Sequence, residues 1–246
     1  MERSERNGVV LDVRELSKAH ETASGEVVRA LDRVSFGVGA GELVAVYGPS
    51  GSGKTTLLKL LARALAPDRG VVRVRGRDIA ELRRAALVRY RREELGLVLQ
   101  SAQLVAGLNV VGNAALRLMA GRMRWRDAQR QVVPLLERLD LGGKLERMPS
   151  ELSVGERQRV AIASALCTDP GLVLADEPTG GLDRRRARVV LELLAEVCRE
   201  RGTAALITTH DPLATSVADR AWALLDGKLV EHGPDLLDPA SAPTAG

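Results

Sequence analysis

The chain has 246 residues, of which 45% are hydrophobic and only 2% aromatic, so a globular core must consist mainly of Leu, Val and Ala. It has no run of about 18 apolar residues and no signal-peptide pattern, so we expect no membrane-spanning helix. Cys167 and Cys198 lack the spacing of a metal site or a disulfide framework, which predicts a reducing compartment. The net charge is +4 with several arginine clusters, but acidic residues are mixed in and aromatic residues are scarce, so no nucleic-acid partner is expected.

The first elements in chain order are short β-like runs between residues 9 and 38. An apolar run over residues 42–47 then predicts a buried strand, and leucines at helical spacing over 55–65 predict a helix. Residues 70–76 alternate between Val and Arg and are flanked by glycines, which is typical of an exposed antiparallel strand.

A glycine-rich loop lies between the buried strand and the helix. Gly48 and Gly53 enclose four residues and precede Lys54 and Thr55, which is the pattern of a phosphate-binding loop. Glycines let backbone N–H groups face phosphate oxygens, Lys54 adds charge for the β- and γ-phosphates, and the Thr55 hydroxyl suits Mg²⁺. A chance glycine loop is the weaker interpretation, because a strand precedes the loop and a helix follows it. The residues predicted to contact ATP here are Gly48, Pro49, Ser50, Gly51, Ser52, Gly53, Lys54, Thr55 and Thr56.

A second apolar run, over residues 172–175, ends in Asp176 and Glu177. Ligands bind at the carboxyl edge of a parallel sheet, so this edge would present both carboxylates to the nucleotide. Asp176 is predicted to hold Mg²⁺, and Glu177 to orient or deprotonate the attacking water. The alternative is a strand followed by two solvated acids, and the phosphate loop earlier in the chain argues against it.

A helix is predicted to begin after Ser153, which is placed to cap it, while Glu156 occupies the third helical position. Together they make a capping box, and an ordinary amphipathic helix would explain this much.

Strands and helices alternate from residue 172 onwards. Asp226 and Gly227 predict a hairpin turn. The order predicts an α/β protein with the parallel-sheet core of a P-loop NTPase and antiparallel β additions. After the strand at 172–175, the predicted elements are a helix at 184–199, a strand at 204–209, a further helix, and strands at 221–225 and 228–232.

Residues 152–156 resemble the Leu-Ser-Gly-Gly-Gln signature of the ATP-binding cassette family, with matches at Leu152, Ser153 and Gly155. The resemblance covers nearly the whole chain. It implies one cassette domain over 1–233 with an inserted helical subdomain over roughly 101–168. Residues 234–246 are rich in Pro, Ala and Ser, which predicts a flexible tail. Three further segments also match, and all the motifs occur in the family's order. Gln100 resembles the family's Q-loop glutamine, residues 180–183 resemble its D-loop, and residues 208–211 resemble its switch-histidine segment.

The resemblance also implies an ATPase that works as a head-to-tail dimer, most simply a homodimer. Each ATP would lie between the phosphate loop of one subunit and Ser153, Gly155 and Glu156 of the other. Hydrolysis would then loosen the dimer.

Within each site, the resemblance gives Glu177 the catalytic role, while Lys54 and His210 hold the γ-phosphate. Gln100 would contact Mg²⁺ and relay the change to the helical subdomain, and Thr55 and Asp176 would complete the metal site.

Two departures from the family pattern concern individual residues. Val154 replaces a glycine in the signature, and because a β-branched residue resists positive φ, we expect an ordinary helical backbone there. His20 stands where the family usually has an aromatic residue that stacks on adenine; it would either stack or be a surface-loop residue.

The resemblance favours the ATPase subunit of a transporter, bound to a separate membrane permease at the cytoplasmic face of the membrane. Residues 176–183 resemble the lipoprotein-release and macrolide-export subfamily, although Gly181 stands where Asn is usual. A cassette ATPase of a non-transport membrane complex, such as cell-division machinery, is the alternative. Residues 100–153 are predicted to dock the permease through an apolar surface. The other interpretation is that these apolar residues form the core of the helical subdomain. The residues of this surface are Leu104, Val105, Leu108, Val110 and Val111.

Overall fold

The computed structural model describes residues 8–21, 25 and 27–231. The strands of this part are β1 (Val9–Glu21), β2 (Val27–Gly39), β3 (Leu43–Tyr47), β4 (Arg69–Val74), β5 (Arg77–Asp78), β6 (Leu95–Val98), β7 (Leu172–Asp176), β8 (Ala204–Thr209), β9 (Arg220–Leu225) and β10 (Lys228–Glu231). Its α-helices are α1 (Lys54–Leu61), α2 (Arg84–Arg89), α3 (Val110–Ala120), α4 (Trp125–Arg138), α5 (Val154–Leu166), α6 (Arg184–Arg201) and α7 (Leu213–Val217). The predicted tail over 234–246 lies outside the described residues.

A six-stranded sheet in the order β10-β9-β3-β8-β7-β6 forms the centre of the fold. Its strands are parallel except β10, which pairs antiparallel with β9 through the predicted Asp226-Gly227 turn. Strand β8 is buried along its whole length, as expected for a parallel sheet that is covered on both faces. The carboxyl ends of β3, β6, β7 and β8 therefore meet at one edge, and the predicted site residues follow these ends.

A second, antiparallel sheet has the order β2-β1-β4-β5. The short runs predicted between residues 9 and 38 are in fact two long strands of 13 residues each, joined by bulged pairing. The predicted strand at 70–76 is β4, but Val72 and Val74 are buried, so only one of its faces is exposed. One hydrophobic cluster packs this sheet and α1 against one face of the parallel sheet.

Helices α3, α4 and α5 cover the other side and share a hydrophobic cluster with α6 and the opposite face of the parallel sheet. For two members of the predicted apolar docking surface the docking interpretation is wrong, because Val110 and Val111 belong to this cluster. Leu104 and Leu108 are half-buried, while Val105 is 46% exposed. The core interpretation holds for Val110 and Val111.

Helix α1 ends at Leu61 rather than at the predicted residue 65, because Arg63 adopts a left-handed backbone with φ 56°. One turn of π-helix, Tyr90–Glu94, satisfies the carbonyl groups at this end. The buried Tyr90 hydroxyl donates to the Leu61 carbonyl at 2.8 Å, and the Arg91 guanidinium donates to the Ala62 carbonyl at 3.1 Å. The helix that begins in the phosphate loop is thereby attached to the segment that leads into β6.

Arg117 on α3 holds the same segment from the helical side. Its guanidinium donates to the carbonyls of Arg92 (2.7 Å), Leu95 (2.6 Å) and Ala165 (3.1 Å). Burial lowers the pKa of Arg117, yet an arginine remains charged at neutral pH. This side chain links the helical layer to β6, the strand that precedes Gln100.

Replacing Tyr90 with Phe should lower the free energy of unfolding by about 1 kcal/mol, because the buried Leu61 carbonyl loses its donor. Urea denaturation measures this, with Tyr47→Phe as the matched control. Within the described residues the Tyr47 hydroxyl makes no hydrogen bond, so its loss should change stability less. Equal effects of the two substitutions would contradict the role given to the Tyr90 hydroxyl.

Candidate active site

The loop over residues 48–53 turns tightly between β3 and α1. Gly51 and Gly53 have φ of 83° and 106°, a region in which side chains are strained. A Cβ on Gly53 would also lie 2.1 Å from the Ala30 carbonyl oxygen of β2. The Ser52 hydroxyl is buried without a hydrogen-bond partner among the described residues. The backbone of this loop thus has the shape that a phosphate cradle requires.

Lys54, the first residue of α1, is 8% exposed and points back across the loop. Its ammonium donates to the carbonyls of Gly48 at 2.7 Å and Pro49 at 2.8 Å. A buried cation is thus held beside the loop by two acceptors that carry no negative charge, a suitable position for a group that pairs with phosphate.

The end of β7 places Asp176 next to the loop. Its Oδ2 lies 3.4 Å from the Thr55 hydroxyl, and its Oδ1 accepts a hydrogen bond of 2.7 Å from the buried Thr208 on β8. Thr55 and Asp176 were predicted as metal ligands, and their oxygens are adjacent. Among the described residues no group of three or more His, Cys, Asp or Glu could hold a metal without further ligands.

Glu177 follows Asp176 in a left-handed backbone conformation, with φ 45°. Its Oε1 lies 2.8 Å from His210 Nδ1, and its Oε2 accepts a hydrogen bond of 3.1 Å from the Thr209 hydroxyl. The backbone N–H of Asp211 donates to the same hydroxyl at 2.9 Å. The strained backbone and these fixed side-chain contacts hold the carboxylate in one orientation, which is common at catalytic positions.

Most of the predicted site residues line one cleft of about 500 Å³, although Gly48, Pro49 and Ser52 of the loop do not line it. His20 lies on β1 rather than in a surface loop, and its Nε2 is 3.4 Å from the Thr56 hydroxyl. The Gln100 side chain packs against Gly180, where an added Cβ would approach its Cγ to 3.0 Å. The predicted site residues that line the cleft are His20, Ser50, Gly51, Gly53, Lys54, Thr55, Thr56, Gln100, Asp176, Glu177 and His210.

The start of α5 lies outside this cleft. Ser153, Gly155 and Glu156 line a different one, of about 340 Å³, together with Arg159, Arg185 and Arg186. The structure therefore brings the phosphate loop and the acidic residues together, but it does not bring the signature to them within one chain.

The capping box at α5 is confirmed. The Ser153 hydroxyl accepts from the Glu156 backbone N–H at 3.3 Å, and Glu156 Oε2 accepts from the Ser153 N–H at 2.8 Å. Val154 is the first helical residue and has no positive φ, as predicted. Lys144 also donates to Glu156, and this hydrogen bond, helped by those from Ser153, lowers the pKa of Glu156 to about 2.

Sequence reasoning missed several residues that support the site. Thr208 and Thr209 were recognised only as part of the segment that resembles the family's switch-histidine segment. Their hydroxyls in fact donate hydrogen bonds to the carboxylates of Asp176 and Glu177. Gln158 is another such residue: it is buried, and its side-chain amide donates to the Leu99 carbonyl at 3.1 Å. This bond connects α5 to the segment that carries Gln100.

A phosphate loop, a buried lysine and a fixed glutamate at the carboxyl edge of a parallel sheet define a P-loop nucleoside triphosphatase. The family model for ABC transporters matches residues 31–180. The chain is 42% identical over 221 residues to lipoprotein-releasing system ATP-binding protein LolD 2 of Caulobacter vibrioides, covering 89% of this chain and 96% of that protein. It is 38% identical over 230 residues to LolD 2 of Chlorobaculum tepidum, covering 92% and 93%.

Among solved structures, the chain is similar to a dimeric post-hydrolysis state of the ATP-binding cassette MJ0796 bound to ADP and Pi. The TM-score is 0.78 at 30% identity, over 89% of this chain and 96% of that one. CbiO1 from Clostridium perfringens, part of the transporter complex cbiONQ, gives a TM-score of 0.83 at 26% identity, over 92% and 89%. The chain belongs to the ABC transporter family. It is the ATP-binding and ATP-hydrolysing subunit of a transporter.

Replacing Glu156 with Gln should destabilise the protein near neutral pH, because the charged form accepts the hydrogen bond from Lys144. The pKa of Glu156 is lowered from 4.5 to about 2, so its stabilising effect is complete above about pH 4.5 and is lost as the pH falls towards about 2. The stability difference between the two proteins, measured by urea denaturation, should therefore shrink across this range.

Glu137→Gln is the control, since Glu137 makes no ion pair or side-chain hydrogen bond within the described part of the chain. A difference for Glu156→Gln that is independent of pH would contradict the proposed interaction.

Proposed function

We propose that the cleft binds Mg·ATP and that Glu177 is the catalytic residue. The observation that carries this proposal is the fixed position of Glu177, between His210 and Thr209, at a cleft that also contains Lys54 and Thr55. A cleft of about 500 Å³ is in the range of ordinary small-molecule sites.

The phosphates are held by this chain's own groups. The N–H groups of the glycine-rich loop face the phosphate oxygens, and the Lys54 ammonium exchanges its two carbonyl acceptors for the β- and γ-phosphates. The Thr55 hydroxyl, the Asp176 carboxylate and the Gln100 amide oxygen would hold Mg²⁺. The ion would supply positive charge that stabilises the phosphates. His20 stacks on the adenine.

Hydrolysis depends on the orientation of the attacking water. The Glu177 carboxylate accepts a proton or a hydrogen bond from that water, and His210 donates to the γ-phosphate. Thr209 holds one carboxylate oxygen of Glu177 and His210 Nδ1 lies 2.8 Å from the other, so the orientation of the carboxylate is fixed by two neighbours. Positioning of this kind, rather than covalent chemistry, accounts for most catalysis in phosphoryl transfer.

The active unit is a head-to-tail dimer, most simply a homodimer. The support is that Ser153, Gly155 and Glu156 line a cleft that shares no residue with the phosphate-loop cleft. In a second copy, the Ser153 hydroxyl and the Gly155 N–H complete the cage around the γ-phosphate. The cassette MJ0796, to which this chain is similar, is dimeric.

The dimer drives a permease on a separate chain, at the cytoplasmic face of the membrane. No helix of the described residues is long and apolar enough to cross a bilayer. The relatives named lipoprotein-releasing system ATP-binding proteins support lipoprotein release as the transport process. They weigh against the alternative of a cell-division complex. The identity of a permease that co-purifies with the chain decides this assignment.

Replacing Glu177 with Gln should reduce ATP turnover by at least about 100-fold, because the amide cannot accept a proton from the water. ATP binding should persist, and ATP should now trap the dimer, which light scattering detects. Lys54→Ala is the contrasting variant: it should weaken ATP binding itself, so ATP should not trap its dimer, since Lys54 contacts the phosphates before hydrolysis. Turnover of the Glu177→Gln protein at the parent rate would remove Glu177 from the catalytic role.

A further inference from the structure

The corner where α3 meets α4, residues 116–130, carries a concentration of exposed positive charge. Arg122, Arg124, Arg126 and Arg130 are all exposed, and Asp127 is the single acidic residue of the segment. The Asp127 carboxylate forms an ion pair with Arg130, with 3.7 Å between Oδ1 and Nη1. Within the described part of the chain, the other three arginines make no ion pair and no side-chain hydrogen bond. We call residues 116–130 the basic corner.

The basic corner also exposes large apolar side chains. Leu116, Met119 and Trp125 are 43%, 42% and 41% exposed, respectively. Trp125 is the first residue of α4 and stands between Arg124 and Arg126. Exposed aromatic and aliphatic side chains beside unpaired arginines are the combination that surface-lying membrane segments use.

The local structure of the corner is unfavourable for the isolated chain. The N-cap of α4 is Arg124, whose side chain makes no capping hydrogen bond; the short helices α1, α2 and α7 also lack a side-chain cap, whereas the longer helices α3, α5 and α6 have one. Arginines at a helix N-terminus oppose the helix dipole. Arg122 adds a left-handed backbone, with φ 70°. Costs of this kind are expected where a sequence serves a ligand rather than the fold.

We propose that the basic corner binds the surface of an anionic lipid bilayer, with the arginines on the headgroups and Trp125 at the interface. This inference rests on the proposed function in one respect, that the chain works at a membrane. Anionic lipids attract clustered arginines, and tryptophan favours the boundary between headgroups and acyl chains. Single-stranded nucleic acid would need several aromatic platforms, and the corner has one.

Vesicle binding of the purified chain tests the proposal without any permease. The chain should sediment with vesicles of mixed phosphatidylcholine and phosphatidylglycerol at an ionic strength of about 0.05 M, and much less with phosphatidylcholine alone. Raising the salt should release it. The triple variant R122Q/R124Q/R126Q should bind about fivefold less tightly for each arginine removed, or roughly 100-fold less in total.

The triple variant R83Q/R84Q/R89Q is the matched control. It removes the same charge from three other exposed arginines that have no exposed aromatic residue beside them. Its vesicle affinity should fall much less. In a Trp222→Phe background, the emission of Trp125 should shift to shorter wavelength on binding, since this leaves Trp125 as the only tryptophan.

Equal losses in the two triple variants would overturn the proposal, because net charge alone would then explain binding. No sedimentation with anionic vesicles, or binding only when a permease is present, would also overturn it, and the latter would assign the corner to an acidic protein surface. ATP turnover in vesicle-free solution should be unchanged in both triple variants, so the ATPase function is judged separately.

Discussion

The site depends on one constraint, that strands β3, β6, β7 and β8 run in parallel and end at the same edge of the sheet. Each of these ends delivers a different chemical group. The phosphate loop follows β3, Gln100 lies just after β6, Asp176 ends β7 with Glu177 next to it, and His210 follows β8. Because the strands are buried, a shift in register would displace these groups together. The catalytic geometry is therefore a property of the sheet.

The second constraint is that the helical layer shares a hydrophobic core with this sheet, while the signature residues at the start of α5 lie outside the phosphate-loop cleft. Helix α5 packs in the same hydrophobic cluster as β7 and β8, yet its capped N-terminus opens into a separate cleft. Two side chains connect the layer to the segment before Gln100: Gln158 reaches Leu99, and Arg117 reaches Leu95. These bonds make a continuous set of contacts between the segment before Gln100 and the helical layer, which the permease is proposed to contact.

The parallel core, the phosphate loop and the α5 capping box could be predicted from the sequence because each depends on local pattern: an apolar run, a glycine spacing, a cap three residues before its partner. The length of α1 could not be predicted from the sequence. The helix ends where Arg63 adopts a left-handed backbone, and its last carbonyl groups are bound by Tyr90 and its neighbour, which lie far along the chain. The docking interpretation was wrong for Val110 and Val111 because periodicity does not distinguish a core stripe from a docking surface. The supporting roles of Thr208 and Thr209 depend on the pairing of β7 with β8, which no short motif reports.

The central claim is that each active site is completed by the signature of a second copy. Two variants, Lys54→Ala and Ser153→Arg, should each be inactive alone, because every site of either homodimer lacks one half. Mixed in equal amounts and allowed to exchange subunits, they should recover roughly a quarter of the parent ATP turnover, since half of the dimers then carry one intact site. A mixture that stays as inactive as its components, or full turnover by the Ser153→Arg protein alone, would contradict the account.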